Sequence, residues 1–201
     1  LEEELAEGQT SLESRQLMQA IKREVEHLSA LSEEYLSLAR PIHPRLEPER
    51  IGDIVGDVLT FVGPELERAG VTIEQRLEQV PEVLADEAQI RQVLTNLIRN
   101  AREAMSKGGS IRVAVSETEG HVRLVVEDEG PGIPEELRQN IFDPFFTTKS
   151  QGTGLGLAVT RQIVEAHDGA IACEPREGGG TRFVVELPKR GPAEALDSQD
   201  A

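Results

Sequence analysis

Apolar residues in the first forty positions fall at Leu17, Ile21, Val25, Leu28, Leu31, Tyr35 and Leu38. These intervals of three and four draw one narrow apolar seam along a helix. The pattern predicts a long helix over 12–40, opened by the capping residues Thr10 and Ser11 and stopped at Pro41. A seam so narrow asks for a partner. Residues 1–34 carry nine acids against three bases, which suits a solvated outer face and a second helix rather than a nucleic acid. The plainer alternative is a lone helix lying on its own domain. The preceding LEEELAEG reads as the end of an earlier helix and a turn, as in an antiparallel hairpin.

Pro41, Pro44 and Pro48 mark a stiff linker over 41–50, separating the helical segment 1–40 from a folded domain over 51–188. Residues 189–201 read as a disordered tail. Inside the domain the pattern alternates. A helix over 51–69 is perturbed at Pro64 and closed by Gly70, and the strand VTIEQRL follows. The short apolar VLA leads into a second helix from Asp86 to about Ser106. Strands at 110–117 and 121–128 alternate apolar and polar residues, as half-buried antiparallel strands do. After a Gly/Pro-rich loop come a short helix near 134–140, a loop to about 153, a helix to His167 and two strands ending at Pro188. Strands grouped with helices, without strict βαβ alternation, predict an α+β fold. Its form is a two-layer α/β sandwich, a mixed and mostly antiparallel sheet covered by helices on one face and preceded by the long helix.

Charge narrows the function. With 37 acids against 21 Lys and Arg, the net charge of -16 excludes a general nucleic-acid or anionic-membrane surface. Any phosphate must be held locally. No apolar run approaches the ~20 residues of a membrane crossing, so this stretch is expected to make no membrane contact. The single cysteine, Cys173, excludes an internal disulfide, fits a reducing compartment, and reads as a small structural hydrophobe.

Four clusters carry candidate chemistry. On the second helix, Asn96 and Asn100 share a face away from the stripe Ile90, Val93, Leu94, Leu97 and Ala101. They are either a solvated pair or a place where an amide oxygen, a hard neutral ligand, meets Mg²⁺ beside phosphates. In EDEGPGIP, Asp128 suits an exocyclic amine such as that of adenine, while Gly130 and Gly132 let a flat ring approach the backbone; an ordinary turn is the alternative. Phe142, Phe145 and Phe146 crowd a loop that must fold back or dock on something. Lys149, among Thr147, Thr148 and Ser150, is a surface cation or a phosphate contact. Gly152, Gly154 and Gly156 stand where a helix begins and its dipole favours an anion. Neither a Rossmann fingerprint nor a Walker A motif is present. Gly178 to Thr181 lie between the last two strands, where a hairpin turn is the plain reading.

In order, Asn96 to Asn100, Asp128-x-Gly-x-Gly132, Phe142 to Phe146, Gly152-x-Gly-x-Gly156 and Gly178-x-Gly-Thr181 resemble the N, G1, F, G2 and G3 boxes of the histidine-kinase ATP-binding domain, of the group shared with gyrase, Hsp90 and MutL. The run Phe142 to Leu157 is especially similar to the nitrogen-regulation type of sensor kinase, and 12–40 resembles the second helix of the dimerisation and phosphoacceptor hairpin. The resemblance implies ATP and Mg²⁺ as cofactors, with Asn100 on the metal and Asn96 on the phosphates or a metal-bound water. It implies Asp128 on the adenine amine, Gly130, Gly132 and Ile133 beside the ring, and Thr181 reaching the base through water. Thr148, Gly152, Thr153, Gly154, Leu155, Gly156 and Leu157 line the phosphates, and Lys149 approaches the γ-phosphate from a segment, 143–153, expected to be the least ordered inside the domain.

The implied function is that of the catalytic domain of a two-component sensor histidine kinase, cytoplasmic even where its parent is membrane-anchored. It transfers phosphate to a histidine on the hairpin helix of the same or a partner subunit, for relay to a response regulator receiver domain. The parent is expected to be a homodimer through the N-terminal helix. Hydrolytic relatives carry Glu at the position of Asn96, whose amide cannot act as a base near neutral pH, whereas neutral imidazole needs little help. His27, His43, His121 and His167 lack the phosphoacceptor motif, His167 ending a helix where a cation is favoured. The chain alone is therefore expected to bind ATP without phosphorylating itself. A nucleotide-sensing module without transfer and a gyrase- or MutL-like ATPase are the alternatives.

Overall fold

A computed structural model describes residues 42–149 and 152–189, together with Arg15, Leu17, Met18, Gln19, Ile21, Lys22 and Val25. The chain divides into two units, 1–40 and 41–201. In the first, the described residues are helical, and Leu17, Met18, Ile21 and Val25 are exposed. The rest of the predicted long helix, positions 150 and 151 of the loop, and the predicted tail from 190 onward lie outside the described residues. Lys189, read as the start of that tail, donates its backbone N–H to Gly120 O at 3.0 Å.

The second unit opens with β1 (Glu47–Glu49), inside the stretch read as linker. It pairs antiparallel with β3 (Val83–Ala85), Glu47 opposite Ala85. Pro48 is tolerated there because the pair is only two strands wide and keeps an open edge. Helix α1 (Ile51–Arg68) buries Ile51, Ile54, Val55, Val58, Leu59 and Leu66. It continues through Pro64 and ends at Gly70, whose φ of 71° few other residues adopt. Helix α2 (Glu87–Ala104) starts at Asp86, whose Oδ1 accepts the Gln89 N–H at 3.1 Å as an N-cap.

The main sheet has five strands in the order β2 (Val71–Leu77), β4 (Gly109–Glu117), β5 (His121–Asp128), β7 (Thr181–Pro188) and β6 (Ala170–Pro175). Only β2 and β4 run parallel, as the α+β expectation of a mixed, mostly antiparallel sheet requires. Alternation puts Ile111, Val113, Leu124, Val126, Phe183 and Val185 on the buried face. Against it pack α2 and α3 (Gly156–Ala166), the latter closing on β6. On the opposite face one row of residues crosses every strand with alternating sign. Glu74 meets Arg112 at 2.9 Å, Arg112 meets Glu127 at 3.0 Å, and Arg182 lies 3.5 Å from Glu127 and 3.7 Å from Glu174. The helix expected near 134–140 is a single 3-10 turn, Glu135–Leu137, because Pro134 keeps an extended ψ of 144° and the chain turns again after Arg138. No helix among the described residues is long and apolar enough to cross a membrane.

Candidate functional site

Asp128, the last residue of β5, is 3% exposed. Its Oδ1 accepts two backbone N–H groups, from Gly130 at 2.8 Å and Thr181 at 3.3 Å. Burial pushes its carboxyl above the usual carboxylate range, and the two N–H bonds and Arg176 only partly offset this. A hydrogen-bonded carboxyl is thereby fixed in a dry setting. The backbones around it are in contact. A Cβ on Gly180, at φ 103°, would stand 1.9 Å from Asp128 O. One on Gly132, at φ 77°, would stand 3.1 Å from Gly180 O. Thus Asp128, Gly130, Gly132 and Thr181, predicted from separate motifs, form one cluster. Ile133 is half-buried beside them and its carbonyl accepts Arg138 Nε–H at 2.9 Å.

Helix α2 carries the next two groups. Asn100 Oδ1 accepts Lys149 Nζ–H at 3.1 Å, and the same ammonium donates to Glu103 Oε2 at 2.6 Å. Sequence reasoning missed Glu103, although its spacing of three from Asn100 puts both on one helix face. Asn96 donates through Nδ2 to Gly156 O at 3.2 Å and to Thr160 Oγ1 at 3.4 Å, tying α2 to the first turn of α3. Thr160 is fully buried and also escaped the sequence reading.

The start of α3 has no side-chain cap, so its first N–H groups lack intrahelical acceptors. Leu155 is buried, which leaves only backbone to face outward, and its N–H is taken by Thr153 Oγ1 at 3.2 Å. Gly154, at φ 69°, accepts Phe145 N–H at 3.0 Å, and a Cβ there would lie 2.5 Å from the Phe145 carbonyl carbon. Gly156 and Leu157 are half-buried and Thr148 is exposed. Of the loop aromatics, Phe142 folds back edge-on to Phe183 at 6.4 Å, while Phe145 is 62% exposed. Gly152 N–H donates to Lys149 O at 3.2 Å.

These groups lie in sequence along one helix. Asn96 touches the start of α3, Asn100 and Glu103 touch Lys149, and Ala104 abuts Gly130, where a Cβ would lie 2.9 Å from the alanine's. From Asn96 to Ala104 the helix rises about 12 Å. An uncapped helix terminus suited to anions and a buried carboxylate suited to an amine thus stand at opposite ends of one line, with an amide oxygen holding a cation between them.

Residues 85–191 match the model of the histidine kinase-, DNA gyrase B- and HSP90-like ATPase family. The sensor histidine kinase ZraS of Escherichia coli O157:H7 is 37% identical over 177 residues, 88% of this chain and 39% of ZraS. The chain thus spans about two fifths of the length of this curated relative. The catalytic domain of the histidine kinase ThkA, nucleotide-free, superposes with a TM-score of 0.67 at 37% identity, covering 72% of this chain and 96% of that domain. Full-length ShkA in complex with AMPPNP matches with a TM-score of 0.77 at 30% identity, over 87% of this chain and 38% of ShkA. ThkA in complex with the response regulator TrrA matches with a TM-score of 0.74 at 31% identity, over 85% of this chain and 49% of ThkA. With the boxes assembled around α2 and a domain-length match, the chain belongs to the histidine kinase-, DNA gyrase B- and HSP90-like ATPase family, as a catalytic domain of the histidine-kinase kind.

Proposed function

We propose that this chain binds ATP along α2 and delivers its γ-phosphate to a histidine outside the chain, for relay to a response regulator. The observation that carries the reading is the buried carboxylate of Asp128. Two backbone N–H groups hold one of its oxygens, and the glycine backbones that nearly touch around it would admit a flat ring. Asp128 accepts from the adenine amine, Gly130, Gly132 and Ile133 flank the ring, and Thr181 reaches the base through water. The start of α3, with Gly152, Thr153, Gly154, Leu155, Gly156 and Leu157, receives the phosphates beside Thr148.

The metal fits as well. Asn100 Oδ1 already accepts from a cation, the Lys149 ammonium, so the donor chemistry is that of a hard cation site. Asn100 would hold Mg²⁺ through this oxygen. When bound, Mg²⁺ neutralises charge on the phosphates. Lys149 then stabilises the γ-phosphate, and Asn96 keeps the start of α3 in register with α2.

In the transfer, a neutral imidazole nitrogen bonds to the γ-phosphorus as the bond to the bridging oxygen breaks, and ADP leaves. Asn96 favours this over hydrolysis, because its amide takes no proton near neutral pH and its nitrogen is committed to Gly156 and Thr160. The complexes of ShkA with AMPPNP and of ThkA with TrrA support the nucleotide and the relay partner. Residues 12–40 as the second hairpin helix, a homodimer through it, the nitrogen-regulation subtype and a cytoplasmic setting complete the proposal. The lone thiol of Cys173 suits a reducing compartment.

The test uses the chain extended upstream to restore a whole hairpin, incubated with γ-labelled ATP and Mg²⁺. The expected label is acid-labile and base-stable, and absent after Asn100→Ala. Nucleotide binding without any label would favour a sensing module, steady phosphate release an ATPase, and an acid-stable label a serine or threonine kinase.

A further inference from the structure

Lys149 sits on a loop far from α2 in sequence, yet its one ammonium group bridges two side chains of that helix. Nζ lies 3.1 Å from Asn100 Oδ1 and 2.6 Å from Glu103 Oε2. The backbone of Lys149 is held at both its N–H and its carbonyl. Thr147 Oγ1 accepts the Lys149 N–H at 3.1 Å, and the Gly152 N–H donates to Lys149 O at 3.2 Å. A Cβ on Gly152 would stand 2.5 Å from that hydroxyl, so only glycine fits beside it. The other oxygen of Glu103 lies 3.7 Å from Arg99 Nε, so the carboxylate serves one cation from its own helix and one from the loop.

A neutral amide is a much weaker acceptor for an ammonium than a carboxylate is. What fixes Lys149 over Asn100 is therefore Glu103. The amide oxygen it covers is the one a divalent cation would use, and two cations at about 3 Å repel strongly unless an anion lies between them. Lysine and metal exclude each other at Asn100 until phosphate oxygens arrive.

We propose that Glu103 is a positioning residue for Lys149, parking the ammonium on Asn100 in the nucleotide-free chain and releasing it to the phosphates when a metal nucleotide binds. The inference rests on the reading of Asn100 and Lys149 given under the proposed function. Each nucleotide then enters by breaking one ion pair, and the strength of that pair sets part of the apparent affinity.

The experiment is a double-mutant cycle read by calorimetric binding of AMPPNP with Mg²⁺ to the full chain. Glu103→Gln keeps the shape and removes the charge, and it is expected to tighten binding about three- to fivefold, as for a half-exposed ion pair no longer broken. In a Lys149→Ala background the same change is expected to alter affinity less than about 1.5-fold. Equal tightening in both backgrounds would mean simple repulsion of phosphate and would overturn the proposal. Weaker binding would make Glu103 a metal ligand and overturn it too. A second readout needs no nucleotide. Trypsin must capture the lysine side chain, so cleavage after Lys149 is expected to be faster in Glu103→Gln at unchanged circular dichroism; equal rates would sink the parking role. If the parent chain binds no AMPPNP, the nucleotide reading falls, while the cleavage rates still decide the ion pair.

Discussion

His167 Nε2 accepts the backbone N–H of Asp86 at 3.0 Å, joining the end of α3 to the start of α2 across 81 residues of sequence. Nδ1 lies 2.7 Å from Ile163 O. Since Nε2 accepts, Nδ1 carries the proton and donates to that carbonyl. Asp86 in turn caps α2 through Oδ1 and accepts the Arg45 N–H at 3.0 Å through Oδ2. One junction, buried at the imidazole, therefore holds two helix ends and the segment leading into β1.

His167→Ala strands the Asp86 N–H in a site where the imidazole is 3% exposed. A loss of about 1–3 kcal/mol is expected from the unpaired donor, with more from the vacated volume. Denaturant unfolding measures it. An unfolding midpoint equal to the parent's would mean that water replaces the ring at no cost.

Asp128→Asn separates stability from binding. The folded-state pKa of Asp128 is raised, so its contribution to stability is fully present below the unfolded value of about 4 and is lost as pH rises through the raised pKa. At neutral pH the buried charge is a net cost. Asparagine keeps an oxygen for Gly130 and Thr181 but turns an NH₂ toward the amine site. The variant is expected to melt at or above the parent at pH 7, with the gap closing as the pH falls toward about 4. ATP-analogue affinity is expected to drop at least about a hundredfold. Retained affinity would remove Asp128 from base recognition.

Two glycines of one hairpin are expected to behave differently. At Gly178, φ is 87° but a Cβ would meet nothing within 4 Å, so Gly178→Ala costs only backbone strain of about 1–2 kcal/mol. At Gly180, with φ 103°, the same atom would collide with Asp128 O. Gly180→Ala is expected to cost more than Gly178→Ala and to weaken analogue binding, while Gly178→Ala leaves binding unchanged. Parallel melting and titration of the two variants checks this.

Asn96→Asp removes the donor to Gly156 O and Thr160 Oγ1, the latter already donating its own proton to Gly156 O at 2.8 Å. The carboxylate would face two oxygens. A negative charge near the start of α3 recovers about 0.3–1 kcal/mol from the helix dipole, less than the roughly 1–3 kcal/mol of unmet polar groups. Lower stability and weaker analogue binding are expected, with no gain in steady phosphate release. Faster release would put a competent base at this position.

Periodicity made the main elements legible, since α1, α2, α3 and the strands of the main sheet are long enough for a period of 3.6 or 2 to declare itself. Three residues cannot do so, and β1 went unread. The motif glycines pointed to close backbone approach, but only the fold shows which partners they touch, Gly180 on Asp128 and Gly154 on Phe145. The unread pairings are long-range: Lys149 to Glu103 across 46 residues, and Asp86 to His167 across 81. Nothing local in a helix reveals which loop will lay a cation over it. Burial pushes the Cys173 thiol up to about 11.

The row from Glu74 through Arg112, Glu127 and Arg182 to Glu174 works as an alignment gauge for the sheet. Alternation of apolar and polar residues penalises a strand shifted by one position, because every side chain changes face, but it is indifferent to a shift of two. A two-residue shift of β5 against β4 would bring Val125 or Glu129 opposite Arg112 in place of Glu127. A like shift of β5 against β7 would replace Glu127 opposite Arg182 and carry Asp128 two residues away from the hairpin glycine that it now meets. Single exposed ion pairs add little to stability, yet here they separate one pairing from its nearest rival. Solvent-facing charges with no part in chemistry thereby help to decide where the buried carboxylate ends up.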